Sequence, residues 1–197
     1  PIFAIIGNPP YSAGQGNEND NNKNIKYEIL DKNIAQTYVK LASSKSLRTY
    51  YDSYIKAFRW ATDRIGEQGV IGFVTNSSFM DKPVMDGIRK SFSQAFNYLF
   101  ILNLRGAIRG RSGDLARREG QNVFDIMTGV SISILVRDGS KNHKIFYKDI
   151  GDYLSRNEKI NLRNQWQSII NIDWSEVTPD KNGDWINQRD ENYNNFI

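Results

Sequence analysis

The sequence feature that most constrains this chain is the stretch I-F-A-I-I-G-N-P-P-Y at residues 2–11. Its first five residues, Ile2 to Ile6, form an apolar run that is too short for a helix and predicts a strand buried on both faces of a parallel sheet. Gly7 ends the strand, and the two prolines that follow exclude both a helix and further sheet pairing. Asn8 is therefore expected at the carboxyl end of a buried strand, the edge where open α/β sheets bind ligands.

The chain has 197 residues, enough for one domain with a good core and too few for two large ones. An apolar content of 39% and a charged content of 24% are typical of a soluble globular protein. The sequence has no cysteine, which excludes disulfides and thiolate metal sites, and no run of the roughly 20 apolar residues that a membrane span requires. We therefore expect a cytoplasmic protein with no metal site and no membrane contact. No signal peptide is evident, and a core strand at residue 2 indicates a piece of a longer polypeptide.

Charge is distributed unevenly, although the formal net charge is only +4. Residues 173–191 contain six acids and two bases, whereas residues 105–118 contain five arginines and one acid. A basic cluster near the expected ligand-binding edge favours a polyanion, because each arginine can neutralise a phosphate. A solvated loop is the alternative interpretation of these arginines, which are Arg105, Arg109, Arg111, Arg117 and Arg118.

Hydrophobic periodicity predicts an alternation of strands and helices. Helical spacing occurs at 27–41, 47–65 and 84–96, and strands are predicted at 70–76, 98–102, 130–136 and 144–147. Gly66 is expected to end the second helix. Because a tight turn at Gly139 precedes it, the strand at 144–147 is expected to pair antiparallel with the strand before it.

The remaining segments are predicted to be less regular. Residues 106–122 are rich in glycine and arginine and are predicted to be a loop. The asparagine-rich residues 12–24 are also a predicted loop, either a surface insertion or a flap over the site. Residues 153–170 indicate one or two short helices, and the tail with Trp174 and Trp185 is expected to dock on a partner or on another domain.

The run Asn8-Pro9-Pro10-Tyr11 resembles the N-P-P-Y motif of methyltransferases that use S-adenosylmethionine, above all the adenine-N6 DNA methylases. An adenine amino nitrogen is a poor nucleophile because its lone pair is delocalised into the ring. Two acceptors, the side-chain oxygen of Asn8 and the backbone carbonyl of Pro9, can orient that nitrogen for in-line displacement at the methyl group. Tyr11 offers a flat face on which an extruded base can stack, a contact worth about 1–3 kcal/mol. An ordinary proline turn after a strand is the alternative.

The order of elements resembles the second half of the Rossmann-like methyltransferase sheet, whose last strand is inserted antiparallel. The resemblance implies an α/β fold in which residues 2–6, 70–75, 98–102 and 131–136 are strands four to seven, with flanking helices. The first three strands would lie upstream, with the glycine-rich turn and the acid that hold S-adenosylmethionine. This sequence has no such turn after a strand, so the chain is expected to be inactive alone.

Several more stretches resemble the methylase region of the type ISP-like single-chain restriction–modification enzymes. They include Y-D-S-Y-I-K-A-F-R-W-A at 51–61, G-V-I-G-F-V-T-N-S-S-F at 69–79 and K-D-I-G-D-Y-L-S-R at 148–156. The resemblance implies double-stranded DNA as a partner, a nuclease and a helicase upstream in the same polypeptide, and a target-recognition domain downstream. Residues 1–150 would be the C-terminal part of the methyltransferase domain, and 151–197 a helical or irregular extension toward the target-recognition domain.

Two aromatic residues are candidate binding residues by the same resemblance. Tyr54 matches a position where an aromatic ring packs against the adenine of the cofactor, which Asn8 would also border, although core packing explains Tyr54 equally well. Phe124 matches an aromatic residue, just before the seventh strand, that touches the flipped base edge-on. The five arginines would hold DNA phosphates.

Other functions remain open from the sequence. The N-P-P-Y motif also occurs in methyltransferases that act on protein glutamine or on RNA guanine amino groups, although those chains usually lack the asparagine-rich insertion and the long arginine loop. A further alternative is a non-catalytic piece that binds DNA or a partner subunit.

Overall fold

The computed structural model describes residues 2–10 and 26–188, and these residues form a mixed sheet with the strand order β1-β2-β4-β3-β5-β6. The strands are β1 (Ile2–Gly7), β2 (Ile65–Asn76), β3 (Tyr98–Arg105), β4 (Val130–Arg137), β5 (Lys144–Asp149) and β6 (Ser175–Val177). The α-helices are α1 (Glu28–Ile34), α2 (Ser53–Arg64), α3 (Ser78–Asp81), α4 (Asp86–Ala95), α5 (Gly113–Arg118) and α6 (Arg156–Trp166). A π-helical turn (Ala35–Val39) extends α1, and 3₁₀ turns lie at Arg48–Tyr51, Pro83–Met85 and Ile169–Asn171.

The α/β fold class and the insertion of the last expected strand are confirmed. β1 pairs parallel with β2, whereas β4 runs antiparallel to both of its neighbours, β2 and β3. β4 is hydrogen-bonded along both of its edges, and its residues Val130, Ser131 and Leu135 are fully buried. This order is the one that the resemblance to the second half of a methyltransferase sheet implies.

The predicted antiparallel pairing of the strand at 144–147 is wrong. β5 pairs parallel with β3, from Tyr98 opposite Lys144 to Asn103 opposite Asp149. β4 has both edges occupied by β2 and β3, so β5 has to cross over and join the far edge of β3. β6 then pairs antiparallel with β5.

The prediction that the first strand is buried on both faces is also wrong for this chain. Among the described residues β1 pairs with β2 alone, and Ile2, Phe3 and Ile6 are 41%, 66% and 85% exposed. β1 is therefore an apolar strand with one open edge, the kind of edge that proteins cover with a further strand or another element.

The helix predictions differ from the structure in detail. The segment 27–41 divides into α1 and the π-helical turn, and α2 ends at Arg64, two residues before Gly66. The predicted loop 106–122 contains a six-residue helix, α5. No helix within residues 2–10 and 26–188 is long and apolar enough to cross a membrane.

An aromatic core holds α2 and α4 against one face of the sheet. The ring of Phe58 lies 5.2 Å from Phe73, 5.4 Å from Phe79 and 5.1 Å from Phe92, measured between centroids. Trp185, which is 4% exposed, packs edge-on against Phe79 at 6.2 Å. The described part of the C-terminal tail therefore packs on this same domain, while the division of the chain at residue 150 stays a prediction.

A fully buried arginine fixes this tail to the rest of the domain. Arg89 on α4 forms a buried ion pair with Asp184, and its Nε donates to the carbonyl of Gly183 at 3.0 Å. Its Nη1 donates to the carbonyls of Phe79 and Lys82 at 3.0 and 2.8 Å. The guanidinium thus connects α4, the turn after α3 and the tail.

We expect Arg89→Met to lower the free energy of unfolding by about 3–5 kcal/mol, because it leaves the Asp184 carboxylate buried without its partner. Urea unfolding of the chain measures the change. Lys144→Met is the matched control, since it breaks the exposed Lys144–Glu176 ion pair, 3.0 Å long, and should cost less than about 1 kcal/mol. Equal losses for the two variants would contradict the importance of the buried pair.

Candidate functional site

The predicted site residues that lie in described loops are all found at one edge of the sheet. In the sheet register Gly7 lies opposite Phe73 near the end of β2, and Asn76 lies opposite Val130 at the start of β4. Arg105 at the end of β3 is also paired with Val130. Because β4 runs antiparallel, its first residue lies opposite the carboxyl ends of β2 and β3, and β1, which is parallel to β2, ends at the same edge of the sheet.

Asn8 follows β1 directly at this edge. Its side chain is exposed, as is Pro10, whereas Pro9 is buried. Gly7 precedes it, and a Cβ at this position would lie close to the ring of Phe73, at 3.3 Å. Tyr11 and the asparagine-rich segment 12–24 lie outside the described residues.

The end of β2 anchors the loop that leads into β4. The Ser77 N–H donates to the carbonyl of Gly129 at 3.0 Å, and the Ser78 N–H donates to Oδ1 of Asn76 at 2.8 Å. Gly129 has no room for a side chain, since a Cβ would lie 2.4 Å from Oγ of Ser77. The loop before β4 is therefore held close to the residues that follow β2.

Phe124 lies on this loop and is 42% exposed. The Phe124 N–H donates to Oδ1 of Asn122 at 2.9 Å. The Nδ2 of Asn122 donates to the carbonyls of Gly106 and Thr128, at 3.2 and 2.7 Å. The buried Asn122 thus connects the segments before and after Phe124 with Gly106. Residues 106–122, which begin at this glycine, are called the arginine loop below.

The five arginines have different environments. Arg105 forms ion pairs with Asp149, at 2.6 Å, and with Asp152. Arg111 pairs with Glu119, and Arg118 pairs with Asp114 at 2.8 Å. Arg109 and Arg117 are exposed and form no ion pair with any described residue. These two therefore carry the charge that is open to an external anion.

Two buried charged residues close the base of the arginine loop. The carboxylate of Glu119 accepts from the Ala107 N–H at 3.0 Å, and its carbonyl accepts from the Gly106 N–H at 3.2 Å. Nζ of Lys159, on α6, donates to the carbonyls of Leu104 and Glu119 at 2.8 and 3.0 Å. Lys159 is 1% exposed, and this burial lowers the pKa of its ammonium to about 8.

Sequence reasoning missed Lys159, although a weak signal was present. Lys159, Leu162 and Trp166 have helical spacing, and Leu162 and Trp166 pack on the second core cluster. A lysine on the apolar face of a helix is expected to find buried acceptors, because a buried ammonium without them is unfavourable.

Tyr54 does not face an open cavity in this structure. It is 1% exposed and packs in the core beside Phe58 and Ile55, and burial raises the pKa of its hydroxyl well above the ordinary value. The packing interpretation therefore accounts for its position, and its contact with a cofactor stays a prediction. Among residues 2–10 and 26–188 no group of three or more histidine, aspartate or glutamate side chains could hold a metal ion.

Comparison with known proteins identifies the family. The family model described as "Eco57I restriction-modification methylase" matches residues 3–107. The chain therefore belongs to the Eco57I restriction–modification methylase family. No curated protein matches it.

Three solved structures are similar over almost the whole chain. A nuclease-deletion mutant of the Type ISP restriction–modification enzyme LlaGI, in complex with a DNA substrate mimic, is 53% identical with a TM-score of 0.94. The ATP-dependent Type ISP enzyme LlaBIII bound to DNA is 42% identical with a TM-score of 0.93, and DrdV in a complex with DNA is 40% identical with a TM-score of 0.88. The matches cover 99%, 99% and 97% of this chain.

These relatives are much longer than the present chain, which spans 19% of LlaGI, 13% of LlaBIII and 18% of DrdV in those structures. The expected resemblance to type ISP enzymes is confirmed.

Proposed function

We propose that this chain is the part of a restriction–modification DNA methyltransferase that binds the target base, and that the whole enzyme methylates the N6 amino group of adenine. The observation that carries the proposal is the exposed Asn8 at the carboxyl end of β1, the sheet edge at which Arg109 and Arg117 also lie without an ion pair to any described residue. The family membership and the DNA in the complexes of LlaGI, LlaBIII and DrdV support DNA over protein or RNA as the substrate.

Asn8 and Pro9 act by positioning the amino nitrogen. The side-chain oxygen of Asn8 accepts from one N–H of the amino group, and the backbone carbonyl of Pro9 accepts from the other. These hydrogen bonds favour a more tetrahedral nitrogen and direct its lone pair along the line of displacement. Pro9 is buried and its φ is fixed by its ring, so the turn presents both acceptors with little freedom. The methylated nitrogen is acidic enough to lose its extra proton after the transfer.

S-adenosylmethionine, when bound, supplies the electrophilic methyl group. The described residues fit only its reacting end, where the exposed Asn8 lies next to the open edge of β1. Tyr54 is closed off in the core, and no glycine-rich turn follows a described strand into a helix. We infer that residues elsewhere in the polypeptide hold the ribose and the methionine end, and that this chain alone neither binds the cofactor well nor methylates.

The target adenine has to leave the duplex to reach Asn8, because its amino group is paired inside the helix. Extrusion costs a few kcal/mol, which contacts with aromatic side chains can offset. Phe124 is partly exposed at the same sheet edge and is the described aromatic residue proposed to touch the base. Tyr11 is proposed to stack on it.

DNA phosphates are proposed to bind to Arg109 and Arg117. Arg105, Arg111 and Arg118 have carboxylate partners within the domain, so a phosphate would have to compete with those carboxylates. Their proposed role in DNA binding is correspondingly smaller.

We expect Asn8→Ala, in the full-length enzyme that contains this chain, to lower kcat by about 10²–10³-fold or more, because an acceptor needed in the transition state is removed. DNA affinity should stay the same. Asn8→Asp is the matched comparison, since it keeps an acceptor oxygen at the same place and should retain more activity than the alanine variant. Single-turnover methylation and filter binding measure the two quantities, and an unchanged kcat for Asn8→Ala would overturn the assignment.

A second expectation concerns the salt dependence of DNA binding. Replacing Arg109 and Arg117 together by glutamine should reduce the slope of log K against log salt by about 1.8, at ~0.9 per phosphate, without changing the sequence that is chosen. Arg64→Gln is the control, because Arg64 is exposed but lies at the opposite end of β2, where its guanidinium rests over Trp60. An unchanged slope in the double variant would show that neither arginine binds a phosphate and would favour the interpretation of a solvated loop.

A further inference from the structure

The first turn of α6 binds both chain neighbours of Phe124, one through its backbone carbonyl and the other through its side-chain carboxylate. Nε and Nη2 of Arg156 donate to the carbonyl of Val123 at 2.9 and 2.8 Å. Nη1 of the same guanidinium donates to Oδ2 of Asp125 at 2.7 Å. Val123 and Asp125 are the two chain neighbours of Phe124, so a single side chain fixes the residue before the ring and the residue after it.

The backbone at this point needs such support. Asp125 has a φ of +56°, a left-handed conformation that is unfavourable for a residue with a side chain and persists only where its surroundings fix it. The Phe124 N–H is bound to Asn122, and the backbone N–H of Arg156 donates to Oε1 of Gln121 at 3.0 Å. The hydrogen bonds around Phe124 thus determine its backbone while its side chain remains partly exposed.

The ion pair between Arg156 and Asp125 contributes little to overall stability. The side chain of Arg156 is 40% exposed and that of Asp125 is 76% exposed, and exposed ion pairs contribute little to the free energy of folding. What the guanidinium determines is where the backbone of Phe124 lies.

We propose that Arg156 is a positioning residue that fixes Phe124 for contact with the extruded base. The proposal rests on the proposed function, in which Phe124 touches that base. It also gives a role in catalysis to α6, which belongs to the segment that the sequence assigns to an extension toward another domain.

In this account Arg156 acts on the bound, extruded base and not on the encounter with DNA. A misplacement of about 1 Å in a positioning group can reduce the rate by about 10²-fold. Arg156→Met keeps the apolar stem and removes the guanidinium, so we expect kcat to fall by about 10- to 100-fold while DNA affinity and the KM for S-adenosylmethionine stay the same. Arg156→Lys should recover part of the rate, because an ammonium can still reach one of the two acceptors.

Arg163→Met is the matched control. Arg163 is exposed on the same helix and donates to the side chain of the adjacent Asn164 at 2.6 Å. Its replacement should leave kcat unchanged. The melting temperature of each variant of the full-length enzyme shows whether the fold is kept.

A double-mutant cycle between Arg156→Met and Phe124→Ala tests the proposal. If Arg156 acts through Phe124, Arg156→Met lowers kcat in the parent enzyme but causes no further loss in the Phe124→Ala background. With 2-aminopurine at the target position, both single variants should alter the fluorescence of the extruded base in the same direction.

The outcomes separate this proposal from the proposed function. If Phe124→Ala lowers kcat and Arg156→Met does not, the positioning role is overturned and the role of Phe124 stands. If the two losses multiply in the double variant, Arg156 acts elsewhere and the positioning role is again overturned. If Phe124→Ala has no effect, the contact of Phe124 with the base is overturned, and the positioning role with it.

Discussion

The arrangement of the whole domain depends on the insertion of β4, antiparallel, between β2 and β3. The backbone of β4 forms hydrogen bonds with both neighbouring strands. The pairing with β2 runs from Gly69 opposite Arg137 to Asn76 opposite Val130, and the pairing with β3 begins with Tyr98 opposite Val136. Because β4 runs against the other strands, the loop that precedes it arrives at the carboxyl ends of β1, β2 and β3. This single reversal brings the segments of Asn8, Phe124 and the arginines to one edge, although more than 90 residues separate the first from the last in sequence.

The loops at that edge are held by groups that come from α6. Lys159 closes the base of the arginine loop, and Arg156 holds the two neighbours of Phe124. Both side chains bind mainly backbone carbonyls, so they fix the path of the chain and leave the side chains of Phe124, Arg109 and Arg117 exposed. Carboxylates neutralise the other three arginines, which limits the positive charge of the loop to the two residues proposed to meet phosphates.

The sequence was sufficient for the elements whose signals are local, and insufficient where the outcome depends on distant partners. Strands β3 and β4 begin at the residues predicted for them, whereas β2 begins at Ile65, five residues before its predicted start, because its first residues are not an apolar run. The turn at Gly139 predicted a hairpin, yet β5 joins β3, because the edge of β4 was already occupied by a strand distant in sequence. Other contacts join residues that are 30 to 50 positions apart and leave no periodic pattern in the sequence. They are the ion pairs of Arg105 with Asp149 and Asp152 and the hydrogen bonds of Arg156 to Val123. A catalytic role for Asn8 could be predicted only from the resemblance to the N-P-P-Y motif.

The chemical identity of the product tests the central claim most directly. The full-length enzyme that contains this chain would be incubated with S-adenosylmethionine labelled in its methyl group and with double-stranded DNA, and the DNA would then be digested to nucleosides for mass spectrometry. Our account predicts that the label appears in N6-methyldeoxyadenosine and depends on Asn8. Label in a cytosine derivative, or no label in the DNA at all, would contradict it.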